Sequence, residues 1–355
     1  MRIGVDASSV IAKKSGIGSF ASSFLKALRE SASDHEFFLY QPSAGRDLNM
    51  PRRILWESFE LPRLAEKDRV DLFYSPGFSP PPRGRFKKVV TVHDLIGLIY
   101  PGNVGPAAQW YWSHWLPRNV RRADTLVASS ESTRRDIQKY LHVPEREVRV
   151  VPLAVSPVFE KRSKSVSEPT LKKYAISAPY FLCVGTLEPR KNGVLLVRAF
   201  SEIAAANPEI ALVFAGKDGG AEEAIRKAVR ESGLKNRVKL LGYVPDADLV
   251  NLYNGALGYV IISLYEGFGL PVLEAMSCGI TGVVSRVSSL PEVAADTAWQ
   301  ADPADYRSVS RALSEMAENA DKRGCLASAA YERSKNFSYE KTAKKMIQIF
   351  EETMS

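Results

Sequence analysis

The chain has 355 residues, 45% hydrophobic and 25% charged, with 48 Lys and Arg against 40 Asp and Glu for a formal net charge of +8. That composition describes a soluble globular protein of about two domains and excludes disorder, collagen-like repeats and coiled coil for the bulk of the chain. The small basic surplus biases the protein toward anionic partners such as phosphates, acidic lipid or nucleic acid, and selects none of them.

Strand-like apolar runs open with Ile3–Asp6, Phe37–Tyr40, Leu72–Tyr74, Val89–Val92, Thr125–Ser129 and Val148–Leu153. Helical patterns lie between them at Gly18–Ser31, Pro106–Ala123 and Ser130–Leu141. A second series follows with strands Tyr180–Val184, Ala211–Ala215, Val238–Leu241, Gly258–Ile262 and Gly282–Ser285. Its helices are Asn192–Ala206, Gly220–Ser232, Asp246–Asn254 and Pro271–Cys278. Strands that are apolar throughout, alternating with helices, predict parallel sheets covered on both faces. Two such series predict two doubly wound α/β domains facing each other. The charged, Ser/Pro-rich stretch Ser156–Pro179 reads as the linker between residues 1–160 and 175–336. The tail 337–355 reads as a helix with Thr342, Met346, Ile347, Phe350 and Met354 on or near one face.

Cys183 and Cys278 sit in apolar runs, as buried free thiols do, and no C-x-x-C spacing suggests zinc or a redox pair. MRIGVDASSV does not read as a signal peptide, and no apolar run approaches the roughly 18 residues of a membrane span. The expectation is a cytoplasmic protein with at most peripheral membrane contact.

The densest chemical signal is Ser263–Gly279, SLYEGFGLPVLEAMSCG. A strand ends, a Gly-rich turn follows, Pro271 sits near the first helical position and Gly279 closes the short helix. The carboxyl ends of strands, meeting helix N-termini, are where open α/β sheets bind ligands. Amides of Gly267, Phe268, Gly269 and Leu270 suit a phosphate or sugar hydroxyls. Glu266 in the loop and Glu274 on the helix are carboxylates of the kind that hydrogen-bond vicinal hydroxyls, which points to a sugar or ribose. Gly185–Asn192, GTLEPRKN, follows another strand and offers Arg190 and Lys191, one fork-like and one point-charge donor for a diphosphate. His93, in TVHDL after a first-domain strand, is a candidate base or hydroxyl ligand. Gly16 and Gly18, in SGIGS, allow close backbone approach to a ligand.

Two motifs read as decoys. Asp246–Ala247–Asp248 has the spelling of a metal–nucleotide site, but ahead of LVNLYNGAL Asp246 reads as an N-cap. Gln109–Arg122, QWYWSHWLPRNVRR, reads as a helix packed on its sheet; its Trp and Arg also suit a membrane interface. The spacing of Gly16 and Gly18 fails the dinucleotide fingerprint, with Ala21 at the third glycine position, which argues against a nicotinamide-dependent oxidoreductase. A basic nucleic-acid-binding protein would leave Glu266 and Glu274 unexplained.

VGTLEPRKN, LGYVPDADL, SLYEGFGLPVLEAMSCG and SSLPEVAADTAWQADPAD, in that order, resemble the donor half of retaining glycosyltransferases of family 4. GVDAS…GIGSF, HDLIGLIYP, ADTLVASSESTRRDI and VRVVPLAVSPVF resemble the other half, so the likeness covers nearly the whole chain. The wording is most similar to GDP-mannose-dependent mannosyltransferases of bacterial O-antigen, capsule or exopolysaccharide assembly. The resemblance implies the GT-B fold, two facing Rossmann-like domains with the C-terminal helix crossing back to the first. It implies no cofactor and no metal, a nucleotide-sugar donor, and a glycan or lipid-linked acceptor, with a UDP-sugar as the alternative donor.

By the same resemblance Glu274 would bind the ribose and Glu266 the donor sugar. Arg190 and Lys191 would hold the diphosphate, and Phe268 to Leu270 would contact sugar or phosphates. His93 would reach the donor sugar from the opposite domain. Gly16, Gly18, Gly185, Gly242 and Tyr243 would complete the donor-binding set. The family usually carries Pro-Val after the Cys278–Gly279 pair; Thr281–Gly282 stands near that place here.

Overall fold

The computed structural model describes residues 1–8, 16–31, 34–42, 48–77, 79–103, 105–144, 148–177 and 179–355. They form two compact units, Met1–Ala154 with Phe337–Ser355, and Val155–Asn336. Each is built on a parallel sheet of six described strands.

In the first unit the strands are β1 (Arg2–Asp6), β2 (Glu36–Tyr40), β3 (Leu72–Ser75), β4 (Lys87–Val92), β5 (Thr125–Ala128) and β6 (Val148–Val150). Their order is β2-β1-β3-β4-β5-β6. β1 therefore connects outward to β2, and the chain then returns to β1's other side as β3. That reversal makes the β1/β3 gap the unit's switch point. The C-terminal helix Tyr339–Met354 packs on the helix Gly16–Ser31 and on β4. It buries Thr342, Ala343, Met346, Ile349 and Phe350, spaced to cover one helical face.

The second unit holds β7 (Tyr180–Val184), β8 (Ala211–Ala215), β9 (Val238–Leu240), β10 (Gly258–Ile261), β11 (Gly282–Ser285) and β12 (Trp299–Ala301). Their order is β12-β11-β10-β7-β8-β9. Every residue of β7, β8, β10 and β11 is buried, which is what strands covered on both faces require. Leu196, Val197, Phe200 and Ile203 of the helix Gly193–Ala204 face this sheet, with the Phe200 ring set edge-on to Phe181 at 6.4 Å. Chain reversal falls between β7 and β10. Loops leaving the carboxyl ends of those two adjacent strands are thus brought together at the switch point.

Several sequence expectations need correction. Ser156–Pro179 is not a bare linker: Lys164–Lys173 is a helix packed on the helix Asp246–Gly255, because Ser167 and Thr170 turn inward beneath its charged face. Leu61 and Ala65 are buried in a helical run from Met50 to Lys67, a stretch to which the sequence analysis assigned no helix or strand. Pro245, not Asp246, caps Asp246–Gly255, and Asp248 is held by Lys173 at 2.6 Å and by the Tyr174 hydroxyl at 2.9 Å. β12 and the helices Tyr306–Glu318 and Ala320–Ser334 were not foreseen. Gly282 is needed where it stands, since a Cβ there would lie 2.1 Å from the Tyr259 carbonyl oxygen.

Candidate functional site

After β7 the chain passes through Gly185 at φ +136°, a conformation that favours glycine. It makes a short 3-10 turn, Pro189–Lys191, and enters the helix Gly193–Ala204 through Asn192 in the left-handed region. The turn presents Arg190 and Lys191 toward the loop that leaves β10. Glu266 of that loop receives both cations: Lys191 Nζ donates to Oε1 at 2.5 Å, and Arg190 Nη1 donates to Oε2 at 3.2 Å. Arg190 also donates to Glu188 at 2.7 Å and to the Tyr265 carbonyl at 3.0 Å. Ser263 Oγ donates to Glu266 Oε1 at 2.7 Å.

Glu266 is 9% exposed, so burial works to raise its pKa; Lys191, Arg190 and Ser263 outweigh that and hold it below the ordinary carboxylate value. The carboxylate is therefore ionised at neutral pH. Its backbone is clamped from the β11 side: Ser288 Oγ accepts from the Glu266 amide at 3.0 Å and donates to the Glu266 carbonyl at 2.5 Å. Ser289 Oγ lies 2.9 Å from that carbonyl and 2.8 Å from the Phe268 carbonyl. These serines were not singled out from the sequence, although SSLPEV contains them. Only the fold shows that they hold the Glu266 loop.

Gly267, Phe268 and Gly269 are buried in that loop, and Gly269 (φ +104°) is the N-cap of the helix Leu270–Ser277. Leu270, expected in the loop, is the first helical residue, with Pro271 second. Glu274, half-buried on the same helix, accepts from the Tyr253 hydroxyl at 2.9 Å. Burial pushes its pKa up to about 7, and the charge of Lys191 acts in the opposite direction. Glu266 and Glu274 thus differ in ionisation although both are carboxylates at one strand end. Glu266 has two cations at hand, while Glu274 has mainly a phenol.

The neighbouring strand ends close the floor. The Gly216 amide donates to the Gly242 carbonyl at 2.8 Å, and a Cβ on Gly216 would stand 1.9 Å from the Gly185 carbonyl oxygen. Gly216, unnoticed in the sequence, is therefore as constrained as Gly185 and Gly242 (φ +70°). Tyr243 beside it is exposed. Gly185, Arg190, Lys191, Gly242, Tyr243, Glu266 to Leu270 and Glu274 all belong to the carboxyl edge of this one sheet.

The other expected residues belong to the first unit. His93 follows β4, and its Nε2 donates to the Pro76 carbonyl at 2.6 Å, which places a proton on that nitrogen. Its own carbonyl accepts from Ser129 and Thr133. Burial lowers its pKa below the ordinary histidine value, so the ring is neutral at pH 7. Gly16 and Gly18 lie in the first turn of the helix Gly16–Ser31, not in the loop before it; residues 9–15 lie outside the described residues.

Comparison with known proteins agrees with this arrangement. Residues 169–333 match the family described as glycosyl transferases group 1, and residues 20–159 match Glycosyltransferase Family 4. An O-antigen chain mannosyltransferase B of Escherichia coli is 31% identical over 303 residues, covering 84% of this chain and 77% of that protein. Among solved structures, a sucrose-phosphate synthase from Thermosynechococcus elongatus superimposes with a TM-score of 0.80 at 21% identity, over 99% of this chain and 98% of that one. Anabaena HepE, solved with UDP and glucose, does so with a TM-score of 0.75 at 15% identity, over 99% of both chains. The fold is the GT-B fold of these neighbours. With its two cations converging on a buried glutamate at the switch point of the matched domain, this chain belongs to the family 4 glycosyltransferases.

Proposed function

We propose that this glycosyltransferase moves mannose from GDP-mannose, with retention of anomeric configuration, to a glycan or lipid-linked glycan in O-antigen-type polysaccharide synthesis. The observation that carries the donor part is the meeting of Arg190, Lys191 and Glu266 at the β7/β10 switch point. A diphosphate placed there finds one forked and one compact cation. Glu266 holds both in place and offers its carboxylate to sugar hydroxyls. Glu274 sits one helical step further along for the ribose. The mannose side of the reading rests on the E. coli mannosyltransferase relative.

In the reaction the bond from the anomeric carbon to the diphosphate oxygen breaks while the acceptor oxygen bonds to the same face. The acceptor's proton passes to a leaving-phosphate oxygen, so charge and atoms balance. Negative charge gathers on the diphosphate, where Arg190 and Lys191 stabilise it. That is why we infer that transfer needs no metal, and EDTA should leave the rate unchanged. We place the reaction in the cytoplasm, where the free thiols Cys183, Cys278 and Cys325 stay reduced.

A second reading keeps the site and changes the base: HepE, solved with UDP and glucose, favours a uridine donor. A thermal-shift panel of GDP, GDP-mannose, UDP, UDP-glucose and UDP-N-acetylglucosamine, without metal, separates the two. Selective stabilisation by the guanosine compounds, followed by mannose transfer to a lipid-linked glycan, is the expected result. A uridine preference would overturn the donor, and no stabilisation at millimolar nucleotide would overturn the site.

A further inference from the structure

Serine hydroxyls at and beyond the end of β11 reach the backbone of the Glu266 loop. Ser285 Oγ donates to the Ser263 carbonyl at 2.6 Å, and Ser288 and Ser289 hold the Glu266 and Phe268 carbonyls. The next residue, Leu290, packs so closely on this loop that a Cβ on Gly269 would stand 2.7 Å from its Cδ2. Ser288 is the unusual member of the set. Its φ is +60°, in the left-handed region where glycine stands without strain and a Cβ crowds the backbone. Asn192, which enters the helix after β7 in the same region, is of a type that tolerates it, and its Nδ2 donates to the Pro303 carbonyl at 2.7 Å. Serine has no such tolerance. A strained residue of this kind persists where its surroundings hold it, and such residues gather at functional sites.

What holds Ser288 is the peptide geometry around Glu266. A planar trans peptide points its N–H and its carbonyl in opposite directions. The peptide joining Tyr265 to Glu266 is gripped from both sides: its N–H donates to Ser288 Oγ at 3.0 Å, and its carbonyl accepts from Arg190 at 3.0 Å. In the next peptide the Glu266 carbonyl accepts from Ser288 at 2.5 Å, which turns the Gly267 N–H away from the β11 side. One hydroxyl therefore fixes the peptides on both sides of the Glu266 Cα. With both fixed, the direction in which the side chain leaves the backbone is fixed as well, and that direction brings the carboxylate to Lys191 and Arg190. Gly267 and Gly269 give the loop little stiffness of its own, so the restraint has to come from a neighbouring segment.

We infer that Ser288 is a positioning residue for sugar transfer: its hydroxyl, acting through the two peptides that flank Glu266, keeps the carboxylate where it receives both cations and meets the donor sugar. The inference rests on the donor reading above. Glycine at position 288 would suit the backbone better and would lose this hold, so the hydroxyl accounts for a strained residue standing there. When the hydroxyl is lost, Arg190 keeps Glu188 at 2.7 Å and Lys191 stays in the turn after β7, so the grip on the diphosphate survives. The placement of the carboxylate against the sugar does not survive. The effect therefore belongs on kcat and not on donor affinity.

S288G and S288A separate the hydroxyl from the backbone. Both remove the hydroxyl, and only S288A keeps a Cβ in the left-handed region, so S288A should melt below S288G. Turnover of GDP-mannose with a lipid-linked glycan acceptor, read as GDP released, should fall equally in both, by about ten- to a hundredfold in kcat, with the donor KM within about threefold of wild type. UDP-glucose and UDP take the place of these compounds if the wild type prefers uridine. The thermal shift induced by the free nucleoside diphosphate should keep its wild-type size. Hydrogen–deuterium exchange of the Tyr265–Gly269 amides in nucleotide-free protein should quicken about tenfold in both variants, and this arm needs no donor. Wild-type kcat in a folded S288G, activity that ranks with Tm and not with the hydroxyl, a loss carried by KM alone, or unchanged exchange would each overturn the inference. A wild-type protein that neither binds nor turns over a sugar nucleotide would overturn the donor reading instead, and the exchange measurement then decides by itself whether the hydroxyl holds the loop.

Discussion

Replacing Glu266 by Gln keeps the shape of the side chain and removes only its charge. Lys191 and Arg190 have side chains 15% and 13% exposed, so water screens their loss poorly. Removing one partner of a buried pair costs about 3–5 kcal/mol because the other charge stays behind uncompensated. Arg190 keeps Glu188 and the Tyr265 carbonyl, so the loss falls mainly on Lys191 and belongs at the lower end, about 3 kcal/mol. For a unit of about 180 residues this corresponds to a fall in Tm of roughly 6–12 °C. A bound diphosphate would return anionic partners to both cations, so the deficit should shrink at saturating nucleoside diphosphate. Transfer should nonetheless fall by at least a hundredfold, because under the proposed function this carboxylate also meets the donor sugar. Differential scanning fluorimetry with and without nucleotide, beside a transfer assay, measures all three quantities. An apo Tm within about 1 °C of wild type would refute the pairing argument, and a deficit untouched by nucleotide would refute the assignment of these cations to the diphosphate.

Gly216→Ala should disrupt the floor of the site, since its Cβ would overlap the Gly185 carbonyl; nucleotide titration should show lost affinity or the unfolding midpoint should drop by several degrees. Glu274 has its pKa raised to about 7, so it becomes charged only as pH rises through that value; if it binds the ribose as proposed, the donor KM should fall between pH 6 and 8 and flatten in Glu274→Gln. Buried Glu57, also raised to about 7 from 4.5, favours the folded state most when protonated: its contribution is full below pH 4.5 and is lost as pH rises through 7. Glu57→Gln should therefore gain Tm relative to wild type between pH 5 and 8, by an amount corresponding to on the order of 3 kcal/mol at the alkaline end. Parallel thermal unfolding of the two proteins across that range checks the sign.

The alternation of apolar runs and helices was enough to identify a doubly wound α/β protein, because strands buried on both faces must be apolar throughout. Strands Tyr180–Val184, Ala211–Ala215 and Gly282–Ser285 were legible to the residue for that reason. Arg190, Lys191, Glu266 and Glu274 were legible too, since strand ends that carry charge and glycine stand out against apolar surroundings. What the sequence could not provide was adjacency. That Lys191 and Arg190 share Glu266, some 75 positions away, follows from β10 pairing beside β7 and not beside β9. The same holds for Ser288 and Ser289, which look like ordinary loop residues until β11 sets them under the Glu266 backbone. Glu57 was invisible for a related reason. A glutamate in a stretch to which the sequence assigns no helix or strand reads as a solvated charge, and only packing against Tyr111, Trp115 and Ser79 turns it inward. Local chemistry is written in local sequence. The sharing of one buried charge among distant segments is decided by strand order and packing.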